Sequence, residues 1–278
     1  MAVKIAVMVH NLRMDAYEGM KTAANMGATG VHLSSSAKGF RPDDLDAAGR
    51  KQWVAHVRSL GLEISAISAW GGEVDLGIPE GLDGHIAYGK RLLELAADLE
   101  CGIWQGHCGI MPHQRTDPKW QRFADAFGQM CAHGEKVGAC LAIETGPEPP
   151  VTLRAMIEDV GSSSLRVNYD PANLILWPAR YMQQAGEAYD RERAFTEYEP
   201  VAGATTLGPY VVHVHAKDAK VFPEGRREVP LGEGWVDWAE FARRLQEQGF
   251  DGYFAIEREV GTDPVGDITR AVRFLQTL

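Results

Sequence analysis

The sequence His213-Val-His-Ala-Lys-Asp218 follows the short apolar run Tyr210-Val-Val212 and carries two histidines two positions apart. A brief apolar run that ends in polar residues is typical of a buried β-strand, here residues 210–215. Side chains two positions apart in a strand point to the same face of the sheet. We therefore predict that His213 and His215 share one face, with His215 at the carboxyl end and His213 one layer deeper, packed and hydrogen-bonded.

Three other predicted strands end in a carboxylate, in the sequences Leu141-Ala-Ile-Glu144, Val167-Asn-Tyr-Asp170 and Phe254-Ala-Ile-Glu257. Carboxylates among apolar strands are costly without partners, and three that converge also repel one another. A divalent cation resolves both problems. Three oxygen ligands and one imidazole suit Mn²⁺ first, and then Mg²⁺, Co²⁺, Fe²⁺ or Zn²⁺. The predicted metal ligands are Glu144, Asp170, His215 and Glu257.

Short β-like runs alternate with longer helical segments along the whole chain. Eight strands that alternate with helices imply parallel pairing and an α/β fold, a closed (β/α)8 TIM barrel. The rival is a doubly wound open sheet, which a glycine-rich loop after the first strand would favour; the chain has His10-Asn-Leu-Arg-Met14 there. The predicted strands are residues 4–9, 30–33, 63–69, 102–105, 139–143, 165–169, 210–215 and 253–256.

Helical periodicity fills most of the segments between these strands. Asp237 is predicted to cap the helix of residues 237–248, with Glu240 as its capping-box partner. Residues 174–208 are interpreted as a helix plus an inserted segment, and the chain from the seventh strand to Gly234 as a loop. The other predicted helices are residues 15–26, 45–60, one that carries 92–96, 119–137, 151–160 and 264–278.

No linker rich in proline, glycine or serine divides the sequence, so residues 1–278 are predicted to form a single domain. The loop at 71–84 and the insertion at 178–208 are interpreted as lids or as subunit contacts of a homo-oligomer. The composition, with 45% hydrophobic and 24% charged residues, is that of an ordinary globular protein.

The net charge of −10 disfavours a nucleic-acid or anionic membrane surface, because both require clustered lysine and arginine. The N-terminal segment lacks the pattern of a signal peptide, and no apolar run approaches the roughly 20 residues of a membrane span. The four cysteines form no CxxC pair and are expected to be free thiols. We expect a cytoplasmic protein whose partner is a small molecule.

Five sequence motifs resemble those of the xylose isomerase-like TIM-barrel family. This family includes tagatose and psicose 3-epimerases, inosose dehydratase, hydroxypyruvate isomerase and endonuclease IV. The resemblance covers the second half of the chain in order, whereas the first half resembles the family mainly in its strand–helix rhythm. The motifs are Ala142-Ile-Glu-Thr-Gly146, Asn168-Tyr-Asp-Pro-Ala-Asn173, His213-Val-His-Ala-Lys-Asp218, Val229-Pro-Leu-Gly-Glu-Gly234 and Ala255-Ile-Glu257.

The resemblance implies that Glu144, Asp170, His215 and Glu257 are metal ligands and that Glu144 and Glu257 are also the acid/base pair. A metal-bound ketose has an acidified C–H group beside its carbonyl, and a carboxylate that removes this proton gives an enediolate. A second carboxylate on the opposite face would return the proton and epimerise the carbon. We therefore expect a sugar epimerase or aldose–ketose isomerase, and the absence of a glycine-rich phosphate loop favours unphosphorylated sugars or glycosides.

Several polar or aromatic residues beside the predicted strand ends are candidates for substrate binding, although each also has a structural interpretation. Asn173 stands where relatives often have a histidine; its amide can bind a hydroxyl group but is a poor zinc ligand. Lys217 and Asp218 leave the seventh strand, and Asp218 could equally hold the loop by backbone hydrogen bonds. The predicted substrate-binding residues are His107, Asn173, Lys217, Arg226 and Trp70.

The sequence is also compatible with three functions other than a sugar isomerase. A lyase of the inosose dehydratase kind is the first of them. A DNA repair enzyme of the endonuclease IV kind fits less well, because it needs three zinc ions and many histidines. A non-catalytic sugar-binding barrel is the third, and the intact pair of carboxylates counts against it.

Overall fold

A computed structural model of the protein describes residues 3–278, and it confirms the predicted α/β TIM barrel. Eight parallel strands close into a barrel because the strand at residues 4–8 pairs with that at 253–256 on one side and with that at 30–34 on the other, which excludes the open sheet. The barrel strands are β1 Lys4–Met8, β2 Gly30–Ser34, β3 Glu63–Ser68, β4 Ile103–Gly106, β5 Cys140–Glu144, β6 Leu165–Tyr169, β7 Val211–Ala216 and β10 Tyr253–Ile256.

Ten α-helices are described within residues 3–278, and most of them surround the barrel. Asp237 caps α9 as predicted, since its carboxylate accepts a hydrogen bond from the Glu240 backbone N–H at 3.1 Å. The Glu240 side chain instead pairs with Arg243 and Arg244, so the capping box is only half formed. The helices are α1 Ala16–Met26, α2 Ala47–Ser59, α3 Leu82–Asp98, α4 Pro118–Val137, α5 Pro150–Val160, α6 Asn173–Gln184, α7 Arg191–Tyr198, α8 Pro200–Leu207, α9 Trp238–Glu247 and α10 Pro264–Leu275.

The barrel interior and the layer between strands and helices have different side chains. Ala6, Met8 and Ala255 form a small cluster inside the barrel. The larger core lies between the sheet and the helices, where α3 contributes the fully buried Leu92 and Leu95. Small side chains within the barrel leave room for polar groups at its carboxyl end.

The segment after β7, interpreted from the sequence as a loop, instead contains a two-stranded antiparallel hairpin. Its strands are β8 Asp218–Phe222 and β9 Gly225–Val229, with Phe222 opposite Gly225. Gly225 has a φ of 131°, a conformation that favours glycine at the end of the turn. The hairpin was missed because its alternation is short and it bears charged residues.

Asp218 organises the chain that follows this hairpin. Its buried carboxylate accepts hydrogen bonds from the backbone N–H groups of Gly232 at 3.0 Å and Gly234 at 2.9 Å, and from the indole of Trp238 at 3.1 Å. A Cβ atom on Gly234 would overlap the Asp218 carboxylate. The structure thus supports the loop-holding interpretation of Asp218 and explains Gly234 in the motif at 229–234.

Among the residues that the structure describes, no helix combines the length and the apolar content needed to cross a membrane. Cys101, Cys108, Cys131 and Cys140 are all free thiols. Burial raises the pKa of Cys101 to about 11, so this thiol stays protonated at neutral pH.

Replacing Asp218 with alanine is expected to lower the free energy of unfolding by about 3 kcal/mol, because several buried donors lose their acceptor together. Urea unfolding of the metal-free protein measures this change. Asp251→Ala is the matched control, since Asp251 is exposed just before β10. Equal stability of the two variants would contradict the role assigned to Asp218.

Candidate metal centre

Four potential ligands converge at the carboxyl ends of neighbouring strands. Glu144 is the last residue of β5 and His215 the penultimate residue of β7, while Asp170 and Glu257 directly follow β6 and β10. One ligand atom from each lies within 4.8 Å of the corresponding atoms of the other three. Parallel strands in consecutive positions bring their carboxyl ends to one rim, so the fold itself assembles this group.

The contacts of His215 and Asp170 leave a ring nitrogen and a carboxylate oxygen directed into the group. His215 Nδ1 lies 3.2 Å from Glu144 Oε1 and 3.2 Å from Glu257 Oε2. Asp170 Oδ1 accepts hydrogen bonds from the backbone of Ala172 and Asn173, at 2.8 and 3.1 Å. The buried Asp170 Oδ2 has no hydrogen-bond donor among residues 3–278. An unpartnered buried carboxylate oxygen beside an imidazole and two further carboxylates fits a divalent cation.

The protonation of the group reflects a deficit of positive charge. Burial raises the pKa of Asp170 well above its usual range, and Lys217 offsets this only in part. Burial also disfavours charge on Glu257, but Lys217 and His215 hold its pKa well below its usual range. Although burial opposes the imidazolium, Glu257 and Glu144 raise the pKa of His215 to about 10. Without a cation, the raised pKa values of His215 and Asp170 favour protons at these positions, which offset part of the missing charge.

Lys217 is the permanent cation beside this group. Its Nζ donates to Glu257 Oε2 at 3.2 Å and to Glu259 Oε2 at 2.6 Å, and lies 3.6 Å from Asp170 Oδ2. Only 6% of the side chain is exposed. One lysine cannot neutralise the four nearby carboxylates of Glu144, Asp170, Glu257 and Glu259. The remaining negative charge is what a divalent ion would balance.

A cavity of about 240 Å³ opens above the group. Four of the predicted substrate-binding residues line it, namely His107, Asn173, Lys217 and Arg226. His107 Nε2 lies 3.2 Å from Glu144 Oε2, and Asn173 Nδ2 donates to Glu144 Oε1 at 3.0 Å. The remaining lining residues are Glu144, Leu176, Trp177, Arg180, Glu257 and Glu259.

Trp70 lies apart from the residues that line this cavity. Its ring is buried and meets Trp104 edge to face, with ring centroids 4.6 Å apart. It also adopts a φ of 63°, which is rare for a residue with a bulky side chain. The structure thus places Trp70 in packing against β4 rather than beside the four ligands.

Sequence reasoning missed several residues around the group. Gln105, on β4, hydrogen-bonds Glu144 Oε2 with its side-chain amide. A polar residue near the end of an otherwise apolar strand was a usable signal for it. Trp177 and Arg180 come from α6, and nothing in their sequence context distinguishes them from other helix residues. Their positions depend on how α6 crosses the barrel rim.

Comparisons with known proteins place this geometry in context. An uncharacterized protein of Methanocaldococcus jannaschii is 21% identical over 188 residues, which is 63% of this chain and 57% of the relative's length. A xylose isomerase domain protein from Planctomyces limnophilus superposes with a TM-score of 0.79 at 22% identity, covering 99% of this chain and 96% of the other.

Two further solved structures carry named activities. A probable 3-DHS dehydratase of petrobactin synthesis from Bacillus anthracis has a TM-score of 0.74 and 16% identity, covering 98% of each chain. The D-psicose 3-epimerase of Clostridium cellulolyticum H10, solved with D-tagatose, has a TM-score of 0.72 and 15% identity, covering 99% of this chain and 98% of the other. At these identities the likeness shows the shared fold.

The sequence comparison extends to a whole family. Residues 20–278 match the family described as xylose isomerase-like TIM barrel. This match spans all but the first strand of the barrel and includes the four converging ligands. The chain therefore belongs to the xylose isomerase-like TIM barrel family.

Proposed function

We propose that the protein is a divalent-metal-dependent sugar isomerase or epimerase that removes a proton next to a carbonyl group. The observation that carries the proposal is the convergence of Glu144, Asp170, His215 and Glu257 beneath a polar cavity. Mn²⁺ is the first candidate for the ion, because three carboxylates and one imidazole form a mixed hard and borderline ligand set. When bound, such an ion would polarise a substrate carbonyl and offset negative charge on its oxygen.

Glu144 and Glu257 are the proposed acid/base pair. Each carboxylate has two oxygens, so one can face the ion while the other handles a proton. Both residues line the cavity, and they come from β5 and from the end of β10. Strands β6 and β7 separate them in the barrel order, which supports approach to a bound sugar from two sides. Removal by one carboxylate and return by the other would epimerise the carbon.

The surrounding polar residues have separate proposed roles. His107 is 29% exposed and lies beside Glu144 Oε2, so it can exchange protons between this carboxylate and a substrate hydroxyl. Asn173 orients Glu144 through its amide. Lys217 holds Glu257 in its charged form, which a general base requires. Arg226, held by Gln183 Oε1 at 2.7 Å, is placed to bind a hydroxyl at the cavity rim.

A lyase is the second candidate, and a probable 3-DHS dehydratase is among the proteins that share this fold. The same proton abstraction would begin the reaction. Loss of a hydroxyl group from the neighbouring carbon would then replace return of the proton. Product analysis separates the two: dehydration of a keto-inositol without epimerisation of any keto-sugar would favour the lyase.

A DNA repair enzyme and a non-catalytic sugar-binding barrel have less support. Within residues 3–278, the two clusters suited to metal ligation share His215, whereas an endonuclease IV type of enzyme needs three zinc ions. Asn173 also replaces a histidine of that arrangement. A non-catalytic sugar-binding barrel would have no need for two buried carboxylates, Glu144 and Glu257, that both line the cavity.

Solvent exchange tests the proposed chemistry. The Mn²⁺-loaded protein is expected to exchange substrate C–H protons into D₂O with at least one member of a panel of ketoses and keto-glycosides, as followed by NMR. Glu144→Gln and Glu257→Gln are each expected to lose about 100-fold or more of the exchange rate at saturating metal, because neutral amides cannot accept the proton.

Glu148→Gln is the matched control for these variants. Glu148 is also buried, but it does not line the cavity, and burial raises the pKa of its carboxyl to about 8. An amide therefore mimics its neutral form, and exchange should persist. Full exchange in Glu144→Gln or Glu257→Gln would remove that residue from the acid/base pair, and a metal-loaded wild type inert towards the whole panel would favour a binding protein.

The metal affinity is expected to rise with pH across the neutral range. The pKa values of Asp170 and His215 are both raised in the metal-free protein, that of His215 to about 10, so an incoming ion competes with protons for these two side chains. Each displaced proton makes the affinity about tenfold stronger per pH unit. Calorimetric titration with Mn²⁺ in buffers of different ionisation enthalpy measures the proton release, and a pH-independent affinity would contradict this protonation scheme.

A further inference from the structure

Three histidines form a buried group directly below the candidate metal centre. His32 lies on β2, and His213 and His215 lie on β7. All three are at most 1% exposed. The ring centroid of His32 is 5.1 Å from that of His213 and 5.2 Å from that of His215. The chemistry proposed above makes no use of His32.

Hydrogen bonding distinguishes the three rings. His213 is fully satisfied: its Nδ1 lies 2.8 Å from Asn168 Oδ1 and its Nε2 lies 3.1 Å from Ser65 Oγ. His215 directs Nδ1 towards the carboxylates, and its buried Nε2 has no partner within residues 3–278. Both ring nitrogens of His32 also lack a hydrogen-bond partner among the residues that the structure describes. Buried polar atoms rarely lack a hydrogen-bond partner, and here two neighbouring rings each contain at least one such atom.

We propose that His32 is the positioning residue for the metal ligand His215, accepting a hydrogen bond from its Nε2–H. An ion bound at Nδ1 requires the proton to be on Nε2, and a neutral imidazole has one nitrogen free to accept it. A centroid separation of 5.2 Å is short enough for a ring rotation to align the two nitrogens. The inference rests on the proposed metal site.

The hydrogen bond fixes both the tautomer and the orientation of His215. An outer partner of this kind raises the basicity of a ligating imidazole and holds its lone pair towards the ion. Most ligating histidines use a carboxylate, a carbonyl or water for this purpose. A second imidazole is a neutral substitute that adds no negative charge to a site already rich in carboxylates.

The same three rings could instead be considered as a second metal site. This interpretation fits less well, because His213 would have to break its hydrogen bonds to Asn168 and Ser65 before it could ligate. A fully buried ion would also need an entry path through the barrel interior. A hydrogen bond between His32 and His215 gives a partner to Nε2 of His215 and to one of the two unpartnered nitrogens of His32, without these costs.

Nitrogen NMR of the wild-type protein tests the inference without any substitution. Histidine is labelled with ¹⁵N, and the protein is loaded with Zn²⁺, which is diamagnetic. The expected spectrum places the His215 proton on Nε2, with a hydrogen-bond coupling to a nitrogen of His32. A proton on Nδ1 of His215, or an Nε2–H without this coupling, would overturn the proposal.

Variants supply an independent measurement. His32→Leu is expected to weaken Zn²⁺ binding by about ten- to hundredfold, whereas His32→Gln, which keeps an acceptor, should restore most of the affinity. His213→Leu is the matched control, an equally buried histidine of the same group. His213→Leu should lower the melting temperature of the metal-free protein, because Asn168 and Ser65 lose their hydrogen-bond partner. His32→Leu should leave that melting temperature unchanged or raise it, because His32 has no such partner to lose.

The outcomes separate this inference from the proposed function. Wild-type affinity in His32→Leu, with one ion bound per chain, would overturn only the role of His32. Two ions per wild-type chain, reduced to one in His32→Leu, would replace that role with a second metal site. A wild-type protein that binds no ion would overturn the proposed metal site and the inference together.

Discussion

Electrostatic repulsion among Glu144, Asp170 and Glu257 is the constraint on which the rest of the site depends. These carboxylates offer ligand atoms within 4.8 Å of one another in a buried place, where water screens their charge poorly. His215 and Lys217 supply part of the compensating charge, and protons supply more of it in the metal-free chain. Such a group is costly for folding alone, and a bound cation would offset this cost.

The barrel fixes the relative positions of these side chains. The four potential ligands come from the ends of β5, β6, β7 and β10, which are consecutive around the barrel. Rigid parallel strands fix the spacing of the ligands, and alternation along each strand fixes which residues face inward. The hairpin after β7 and the buried Asp218 then hold the following chain against the same rim. Stability and site geometry therefore depend on the same residues in this part of the molecule.

Layers of polar residues continue below the rim. Asn173 and Gln105 contact Glu144, and the histidines on β2 and β7 lie beneath the carboxylates. A ligand held by its neighbours keeps its orientation when an ion or a substrate arrives, which lowers the cost of binding. The interior of this barrel thus contains polar residues where an ordinary core would have aliphatic ones, and the small side chains of Ala6 and Ala255 make space for them.

The sequence alone determined the barrel, because eight apolar runs alternate with helices, and it predicted that Glu144, Asp170, His215 and Glu257 meet at one rim, because each stands at or next to a strand end. It also placed His213 one layer below His215, since strand alternation is a local rule. Other features were decided only by tertiary structure. The position of Trp70 against Trp104, the cavity-lining residues of α6 and the approach of His32 to His215 join segments far apart in the chain. Local periodicity carries no information on such contacts, which arise only when the barrel closes and the helices pack against it.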